Sequence, residues 1–315
     1  MNRLKKFFIQ KCLSLVFVFF GITLLTFGLM YIAPSDPVEM YYISHNQSLP
    51  SEDVLAAKRA EMGLDKPFIQ QYGNWLLKFL RGDMGVSYVD SIPVRDKIVE
   101  AMPYTLELAF LSLFLTMAIS IPLGILTASK HNKWIDYIFR LFTFIISSIP
   151  SFVLSICLMF IFGVWLKKLP VISYGNEKGI ILPALSLALT MSSRYIRQIR
   201  STVLEELNKD YVLGARGRGV KESVILYKNV LKNTMITVVT LVGISLGSLL
   251  GGTAIIENIF VWPGMGKLAL DSIKRRDYLC VQAFVVWMAF IFVFINFLTD
   301  LSYGLLDPRI KKSGK

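Results

Sequence analysis

Long uncharged stretches recur along the chain, and each is about as long as a helix that crosses a bilayer. Such a helix rises about 1.5 Å per residue through a hydrocarbon core of roughly 30 Å. Four stretches contain no charged residue: Cys12–Ala33, Leu141–Leu166, Asn233–Ile256 and Tyr278–Thr299. Two are less regular: Pro103–Ser129, which contains Glu107, and Gly179–Ser193, which needs its basic continuation to reach the interface. The pattern predicts an all-α polytopic membrane protein with six transmembrane helices, the fourth being the shortest.

The composition agrees with this fold class. Of 315 residues, 54% are hydrophobic and 18% are charged, against roughly 25% charged residues in a soluble domain. Three scattered cysteines, Cys12, Cys157 and Cys280, form neither a disulfide framework nor a zinc cluster. The first apolar stretch is longer than that of a signal peptide and no small-x-small cleavage site follows it, so we interpret it as an anchor.

The basic residues predict how the chain is oriented in a cell membrane. The net charge is +12, and most bases lie between the apolar stretches rather than among aromatic residues, which disfavours nucleic acid and favours a lipid bilayer as partner. Bases outnumber acids in residues 194–232 and at both termini, whereas acids outnumber bases in residues 34–100. Cytoplasmic segments carry the excess of Lys and Arg. Both termini are therefore expected in the cytoplasm, although the short basic loop around Lys167 and Lys178 is an exception.

This topology divides the chain into four parts. Residues 1–33 form an N-terminal tail and the first span, and residues 34–100 form an extracytoplasmic subdomain. Residues 101–305 form the core transmembrane domain, with cytoplasmic coupling helices at about 205–228. Residues 306–315 form a cytoplasmic tail.

The cytoplasmic loop carries more apolar residues than a solvated linker needs. They recur at helical spacing: Tyr211, Val212, Ile225 and Leu226. Ala215 and Gly219 are four residues apart, so on a helix they would form a small-residue notch for a close partner. Gly217 and Gly219 also suit a sharp break between two short helices. The loop is predicted to present a helix pair to a cytoplasmic partner.

An ordered series of motifs runs through the chain. The cytoplasmic segment reads Asp210-Tyr211-Val212-x-x-Ala215-Arg216-x-x-Gly219, followed by Leu226 and Leu231-Lys232-Asn233. The other segments are Ala33-Pro34-Ser35-Asp36-Pro37, Gly63-Leu64-Asp65-Lys66-Pro67, Gly82-Asp83-x-Gly85-x-Ser87, Glu257-Asn258-x-Phe260-x-x-Pro263-Gly264-x-Gly266, Arg276-Asp277-Tyr278 and Asp300-x-x-Tyr303-x-x-Leu306-Asp307-Pro308-Arg309. In this series the chain resembles the membrane subunits of binding-protein-dependent ABC importers of the dipeptide, oligopeptide and nickel group. It departs from the usual pattern at Ser35, where glycine is common, and at Thr237, where proline is common.

The resemblance implies a fold, partners and functional residues. It implies the ABC importer permease fold, in which the chain forms half of a translocation path with a second homologous permease. An extracytoplasmic substrate-binding protein would deliver the cargo, and two partner ATPases would hold ATP and Mg. The residues implied in ATPase coupling are Glu206, Asp210, Tyr211, Ala215, Arg216 and Gly219. The external family motif comprises Glu257, Pro263, Gly264, Gly266, Arg276 and Asp277.

Two segments favour one of the cargoes of this group, because they resemble nickel-import permeases most closely. They are residues 251–260 and residues 272–278. Nickel or a nickel chelate is the expected cargo, and di- or oligopeptides remain the alternative. No tight metal site is expected, because the spans lack histidine and carboxylate clusters at helical spacing.

Other function classes have weaker support. Gly243-x-Ser245-x-Gly247 matches a nucleophile elbow, but that motif needs a strand–turn–helix and a histidine base. Gly243, Gly247 and Gly251 recur every four residues within an apolar helix, which is typical of close helix packing. No phosphate-binding loop occurs, so ATP hydrolysis is expected in other chains, and no catalytic residue or resident cofactor is predicted. An ATP-independent secondary carrier would usually bring charges to the membrane midplane.

Overall fold

The computed structural model describes residues 3–33, 36–45 and 47–306, and within these ranges most of the chain is helical. An isolated bridge pairs Val86 with Pro93, and no strand is found in the described residues. The helices are Arg3–Ile32 (α1), Pro37–Ser44 (α2), Glu52–Glu61 (α3), Phe68–Leu80 (α4), Val94–Ser129 (α5), Trp134–Ser148 (α6), Ser151–Leu158 (α7), Ile181–Leu207 (α8), Asp210–Gly217 (α9), Glu222–Val224 (α10), Leu231–Gly252 (α11), Ala254–Ile259 (α12), Met265–Lys274 (α13) and Tyr278–Leu306 (α14). π-helical turns continue α7 over Met159–Trp165 and lead into α11 over Ile225–Val230. The predicted all-α class is confirmed.

Among the described residues, three helices are long and apolar enough to cross a membrane. They are Val94–Ser129, Glu222–Gly247 and Tyr278–Thr299. Two pairs of helices separated by a short break pass the same criterion together, which raises the number within the described residues to at most five. Since α8 carries several arginines, it is not among them. The predicted count of six spans is therefore not confirmed.

The third predicted span is broken. The segments Trp134–Ser148 and Ser151–Trp165 meet at an angle of 103°. Pro150 causes the break, because it donates no backbone hydrogen bond and disfavours a helical conformation at the residue before it. Ile149 is accordingly extended, with φ −87° and ψ 127°.

The chain divides into two compact units. Unit 1 comprises Met1–Thr105 and Pro263–Val293, and unit 2 comprises Leu106–Trp262 and Phe294–Lys315. The predicted division at residues 33, 100 and 305 follows membrane sidedness and stays a prediction. The tail at 307–315 and the motif residue Ser35 lie outside the described residues.

In unit 1, α4 packs along α1. The ring of Phe27 lies 5.5 Å from that of Phe68 and 5.6 Å from those of Tyr72 and Trp75, measured between centroids. The hydroxyls of Thr23 and Tyr72 share a hydrogen bond of 2.9 Å. These contacts place α4 beside the last turns of the first apolar stretch.

In unit 2, the core is formed where α5, α8, α9 and α11 meet. Its buried side chains are Ile125, Ala128, Ile199, Val203, Val212, Ala215, Ile225, Val230 and Val238. Gly124 allows α5 to approach α8 closely, since a methyl group at this position would lie 2.7 Å from Cγ2 of Ile199. Close backbone approach through small residues is typical of membrane helix packing.

Candidate functional site

The predicted coupling segment is organised around the carboxylate of Glu206. This residue is 8% exposed at the end of α8. Tyr211 in α9 donates its hydroxyl to Oε2 of Glu206 at 2.7 Å, and the amide of Asn233 in α11 donates to the same oxygen at 3.0 Å. Lys209 forms an ion pair with the other oxygen. One carboxylate thus joins the end of α8, the short helix α9 and the start of α11, and we call Glu206, Lys209, Tyr211 and Asn233 the Glu206 clamp.

The clamp favours the ionised form of Glu206. Burial opposes ionisation, but the donors of Lys209, Tyr211 and Asn233 outweigh it and lower the pKa of Glu206 below its ordinary value. Burial and the neighbouring carboxylate raise the pKa of Tyr211, which keeps its hydroxyl protonated and able to donate. The protonation states and the hydrogen bonds therefore support each other near neutral pH.

The predicted notch formed by Ala215 and Gly219 is wrong. Ala215 is 2% exposed and packs into the core of its own chain, as Val212 does. Gly219 lies beyond the end of α9 with a φ of +73°, a conformation that favours glycine. Its N–H donates to the carbonyl of Arg216 at 2.9 Å, and that of Val220 donates to the carbonyl of Ala215 at 3.1 Å. Gly219 therefore ends the helix, as the alternative interpretation of a sharp break predicted.

The side of α9 that faces away from the core is open. It consists of Asp210, Leu213, Gly214 and Gly217, all exposed, and we call it the α9 outer face. Leu213 is 56% exposed, and a methyl group at Gly214 or Gly217 would meet no atom within 4 Å apart from the neighbouring backbone. Arg216 is held by an ion pair with Glu222. A second surface can therefore approach the backbone of α9 closely on this side.

Asp277, from the external motif, forms a buried cluster in unit 1. It is 2% exposed and accepts a hydrogen bond of 2.5 Å from the hydroxyl of Ser87. Nζ of Lys97 lies 3.6 Å from Asp277 and 2.6 Å from Asp90. The cluster ties the loop before α5 to the start of α14, so two motifs far apart in sequence form one structural contact.

The electrostatics of this loop follow from the same contacts. Burial opposes the ionisation of Asp90, but Lys97 and Ser87 outweigh it and lower the pKa of Asp90. Burial and the carboxylate of Asp277 raise the pKa of Tyr88 to about 12. At neutral pH the cluster therefore holds a charged aspartate at Asp90 and a neutral phenol at Tyr88.

The remaining residues of the external motif are placed as follows. Glu257 in unit 2 is fully buried and accepts a hydrogen bond of 2.9 Å from the hydroxyl of Thr253. In unit 1, Gly264 precedes the first residue of α13, and Gly264 and Gly266 are buried while Pro263 is half-buried. Arg276 is exposed with a φ of 56°. These positions fit a structural role around the turns between α12, α13 and α14.

The predicted glycine stripe begins at a close helix contact. A methyl group at Gly243 would lie 2.1 Å from Cγ2 of Thr299, so α11 and α14 approach closely there. Gly247 is also buried, and the surroundings of Gly251 lie outside the described residues. At Gly243 the geometry is that of packing, since the position lies within a continuous helix.

A buried ion pair between α6 and α8 was not predicted from the sequence. Asp136 is fully buried and accepts two hydrogen bonds of 2.7 Å from the guanidinium of Arg200. The backbone N–H of Asn132 donates to the same carboxylate at 3.1 Å. Asp136 is the one acid among the bases of residues 130–140. This isolated acid was the signal in the sequence that could have indicated an ion pair.

No group of three or more histidine, cysteine, aspartate or glutamate side chains that could hold a metal is found in the described part of the chain. The prediction that this chain has no resident metal stays a prediction.

Comparison with known proteins identifies the family. The profile of the binding-protein-dependent transport system inner membrane component matches residues 120–312, and the profile of its N-terminal region matches residues 4–109. The nickel import system permease protein NikB of Staphylococcus aureus (strain USA300) is 36% identical over 96% of this chain and 91% of its own length. The metal-staphylopine import system permease protein CntB of Staphylococcus aureus (strain NCTC 8325 / PS 47) is 33% identical over 98% of this chain and 99% of its own length.

A solved structure shows the same fold. It is a structure of inward-facing conformations of the MetNI methionine ABC transporter, with a TM-score of 0.55 and 18% identity over 67% of this chain and 96% of that chain. The predicted ABC permease fold is confirmed, and the apolar helices make the chain a multi-pass membrane protein. Since two family profiles together match most of the sequence, the chain belongs to the family of binding-protein-dependent transport system inner membrane components, which are transport subunits.

Proposed function

We propose that this chain forms half of the translocation path of an ATP-driven importer. A second homologous permease forms the other half, an extracytoplasmic substrate-binding protein delivers the cargo, and two ATPases bind and hydrolyse ATP with Mg. Family membership and the likeness to an ABC transporter support this proposal. Both termini lie in the cytoplasm, since bases are concentrated there and in residues 194–232.

The Glu206 clamp is the observation that carries the coupling proposal. One of the two ATPases would receive α9 in a groove, because Gly214 and Gly217 let a second surface approach the backbone of the helix closely. Because Glu206 joins α9 to α8 and α11, a displacement of α9 would move both helices. Within this segment, Asp210 belongs to the α9 outer face, Arg216 pairs with Glu222 and Gly219 ends the helix. Tyr211 and Ala215 attach α9 to the rest of the permease. The α9 outer face is the surface that meets the ATPase.

A substitution that adds bulk to the α9 outer face tests this assignment. Gly214→Leu and Gly217→Leu are better probes than a change at Gly219, where the positive φ would strain any side chain. We expect loss of uptake and loss of ATPase co-purification, with the permease still in the membrane. Gly73→Leu is the matched control, because this helical glycine in α4 also has no atom within 4 Å. Normal uptake with bound ATPases in the Gly214 and Gly217 variants would refute the docking assignment.

The proposed cargo is nickel or a nickel chelate. The two relatives described above are named as importers of nickel and of a metal complex, and they match nearly the whole chain. A permease need not hold such a cargo tightly, since a pathway has to release what it carries. The test is uptake of radioactive nickel, alone or with a chelator, and of a labelled dipeptide in a deletion strain. Nickel uptake unchanged by the deletion contradicts this cargo, and loss of dipeptide uptake alone supports the peptide alternative.

A further inference from the structure

Unit 1 contains a groove that the translocation and coupling functions proposed above do not use. Its volume is about 870 Å³, and its walls come from the last turns of α1, from α3 and α4, and from the first turn of α14. We call it the interfacial groove. Pockets of about 300–1,000 Å³ accommodate ligands the size of a drug or a lipid headgroup with part of its chains.

One part of the interfacial groove is apolar and adjoins exposed apolar side chains at the end of α1. Phe27, Tyr31, Trp75 and Leu77 line it. Tyr31 is 53% exposed and Leu77 is 56% exposed. On the same end of α1, Ile32 is 79% exposed, which suits contact with lipid tails. The groove therefore lies beside the end of the first apolar stretch, where that span is expected to leave the hydrocarbon.

The other part of the groove is basic. Lys66, Lys78 and Arg81 line it, and none of them has an ion pair with another described residue. Two of its acids are engaged by bases of the protein, because Asp36 pairs with Arg59 and Glu61 pairs with Lys58. Asp83 is the remaining acid, and it accepts a backbone hydrogen bond from Gly85 at 2.9 Å. Among the described residues, this part of the groove therefore has three basic side chains without an ion pair and one such acid, Asp83, so its net charge is positive.

A polar side chain at the groove also lacks a partner. Gln282 is 5% exposed and lines the groove, and its Oε1 accepts no hydrogen bond from the described residues. A buried carbonyl without a donor is costly, at about 1–3 kcal/mol. A ligand with a hydroxyl or ammonium group could supply the donor.

We propose that the interfacial groove binds one anionic phospholipid. The phosphate meets Lys78 and Arg81, the acyl chains follow the apolar wall beside Tyr31 and Leu77, and a headgroup hydroxyl donates to Gln282. Anionic lipid attracts basic side chains at the membrane surface, and the exposed apolar wall matches the acyl chains. A free metal cation would be repelled by the bases, and a small hydrophilic chelate would leave the apolar wall exposed. An anionic phospholipid of either leaflet could occupy the groove.

Lipid titration of the purified importer complex in detergent tests the proposal. Dioleoylphosphatidylglycerol is the probe, and dioleoylphosphatidylcholine has the same chains without the net charge. We expect the anionic lipid to raise the midpoint of thermal unfolding more than the neutral lipid, and to remain bound in native mass spectrometry. The double variant Lys78→Gln/Arg81→Gln should weaken phosphatidylglycerol binding by about 30-fold, since each base near an anionic lipid contributes roughly a five-fold change.

The matched control is Lys274→Gln/Arg275→Gln, which removes the same charge at exposed positions outside the groove. This variant should bind phosphatidylglycerol as the unmodified protein does. Equal stabilisation by both lipids, or unchanged binding in the Lys78→Gln/Arg81→Gln variant, would overturn the proposal. Displacement of the lipid by a nickel chelate or a dipeptide would also overturn it, because the groove would then be a cargo site. Each result is independent of uptake, so the cargo proposal stands or falls separately.

Discussion

Glu206→Gln is the substitution that should separate ATP hydrolysis from transport. Glutamine keeps the shape of the side chain but loses the negative charge that strengthens the hydrogen bonds from Tyr211 and Asn233. The bound ATPases would still move α9, while the loosened clamp would transmit less of that motion to α8 and α11. We therefore expect retained ATP hydrolysis, reduced uptake and modestly reduced stability.

The size of the stability loss follows from the contacts. A hydrogen bond to a charged group contributes about 1.5–3 kcal/mol, roughly twice a neutral one. Glutamine keeps weaker bonds to Tyr211 and Asn233, so each bond loses about half of its contribution and the two together lose about 1.5–3 kcal/mol. The side chain of Lys209 is 52% exposed, so its ion pair adds only about 0–1 kcal/mol. The free energy of unfolding should therefore fall by about 1.5–4 kcal/mol.

The assay is the ratio of uptake to ATP hydrolysis in reconstituted vesicles, with thermal unfolding measured beside it. Glu205→Gln is the matched control, because this neighbouring acid is exposed and its loss should change stability by less than about 0.5 kcal/mol. If uptake and ATP hydrolysis fell in parallel in Glu206→Gln, the clamp would serve docking or folding instead of coupling. Equal behaviour of the two variants would refute the reasoning altogether.

The low pKa of Glu206 adds a pH dependence with a definite sign. A carboxyl whose pKa is lower in the folded state stabilises the protein above its unfolded pKa of about 4.3, and this contribution is lost as the pH falls through the folded value. The stability difference between the unmodified protein and Glu206→Gln should therefore be constant above about pH 5 and shrink as the pH falls below about 4.3 towards the folded pKa. A difference that grows on acidification contradicts the assignment.

Three further substitutions can be compared by thermal unfolding in detergent. Gly243→Ala should cost about 1–3 kcal/mol, because the new methyl group overlaps Thr299, and an unchanged midpoint would contradict the close helix contact. Ser87→Ala removes the hydroxyl that donates to buried Asp277 and should cost about 1.5–3 kcal/mol; a stable variant would show that the contact is dispensable. Arg200→Lys keeps the charge but loses the bidentate hydrogen bonds to buried Asp136. The free energy of unfolding should fall by about 2 kcal/mol, and full stability would argue against this geometry.

Much of the coupling segment could be predicted, but its orientation could not. The spacing of Val212 and Ile225 indicated helices with an apolar side, and the structure has helices there. Both residues are fully buried in their own chain. An apolar residue at helical spacing fits a partner and the chain's own core equally well, so periodicity cannot tell which of the two covers it.

Three properties of this chain follow from its sequence alone: it is helical, it is embedded in a membrane and it belongs to its family. These conclusions need only the lengths of apolar stretches and the order of motifs, because insertion into a bilayer depends on local hydrophobicity. Even the break at Pro150 has a local cause, although its angle of 103° depends on packing.

Contacts between distant side chains, by contrast, are known only from the fold. Ser87 and Asp277 are 190 positions apart in sequence and share a buried hydrogen bond, and Glu206 receives a donor from Asn233, 27 positions away. The structure also decided that Ala215 faces the core while Gly214 and Gly217 remain open. Such contacts depend on how helices pack in three dimensions, and neither hydrophobicity nor spacing along one helix contains that information.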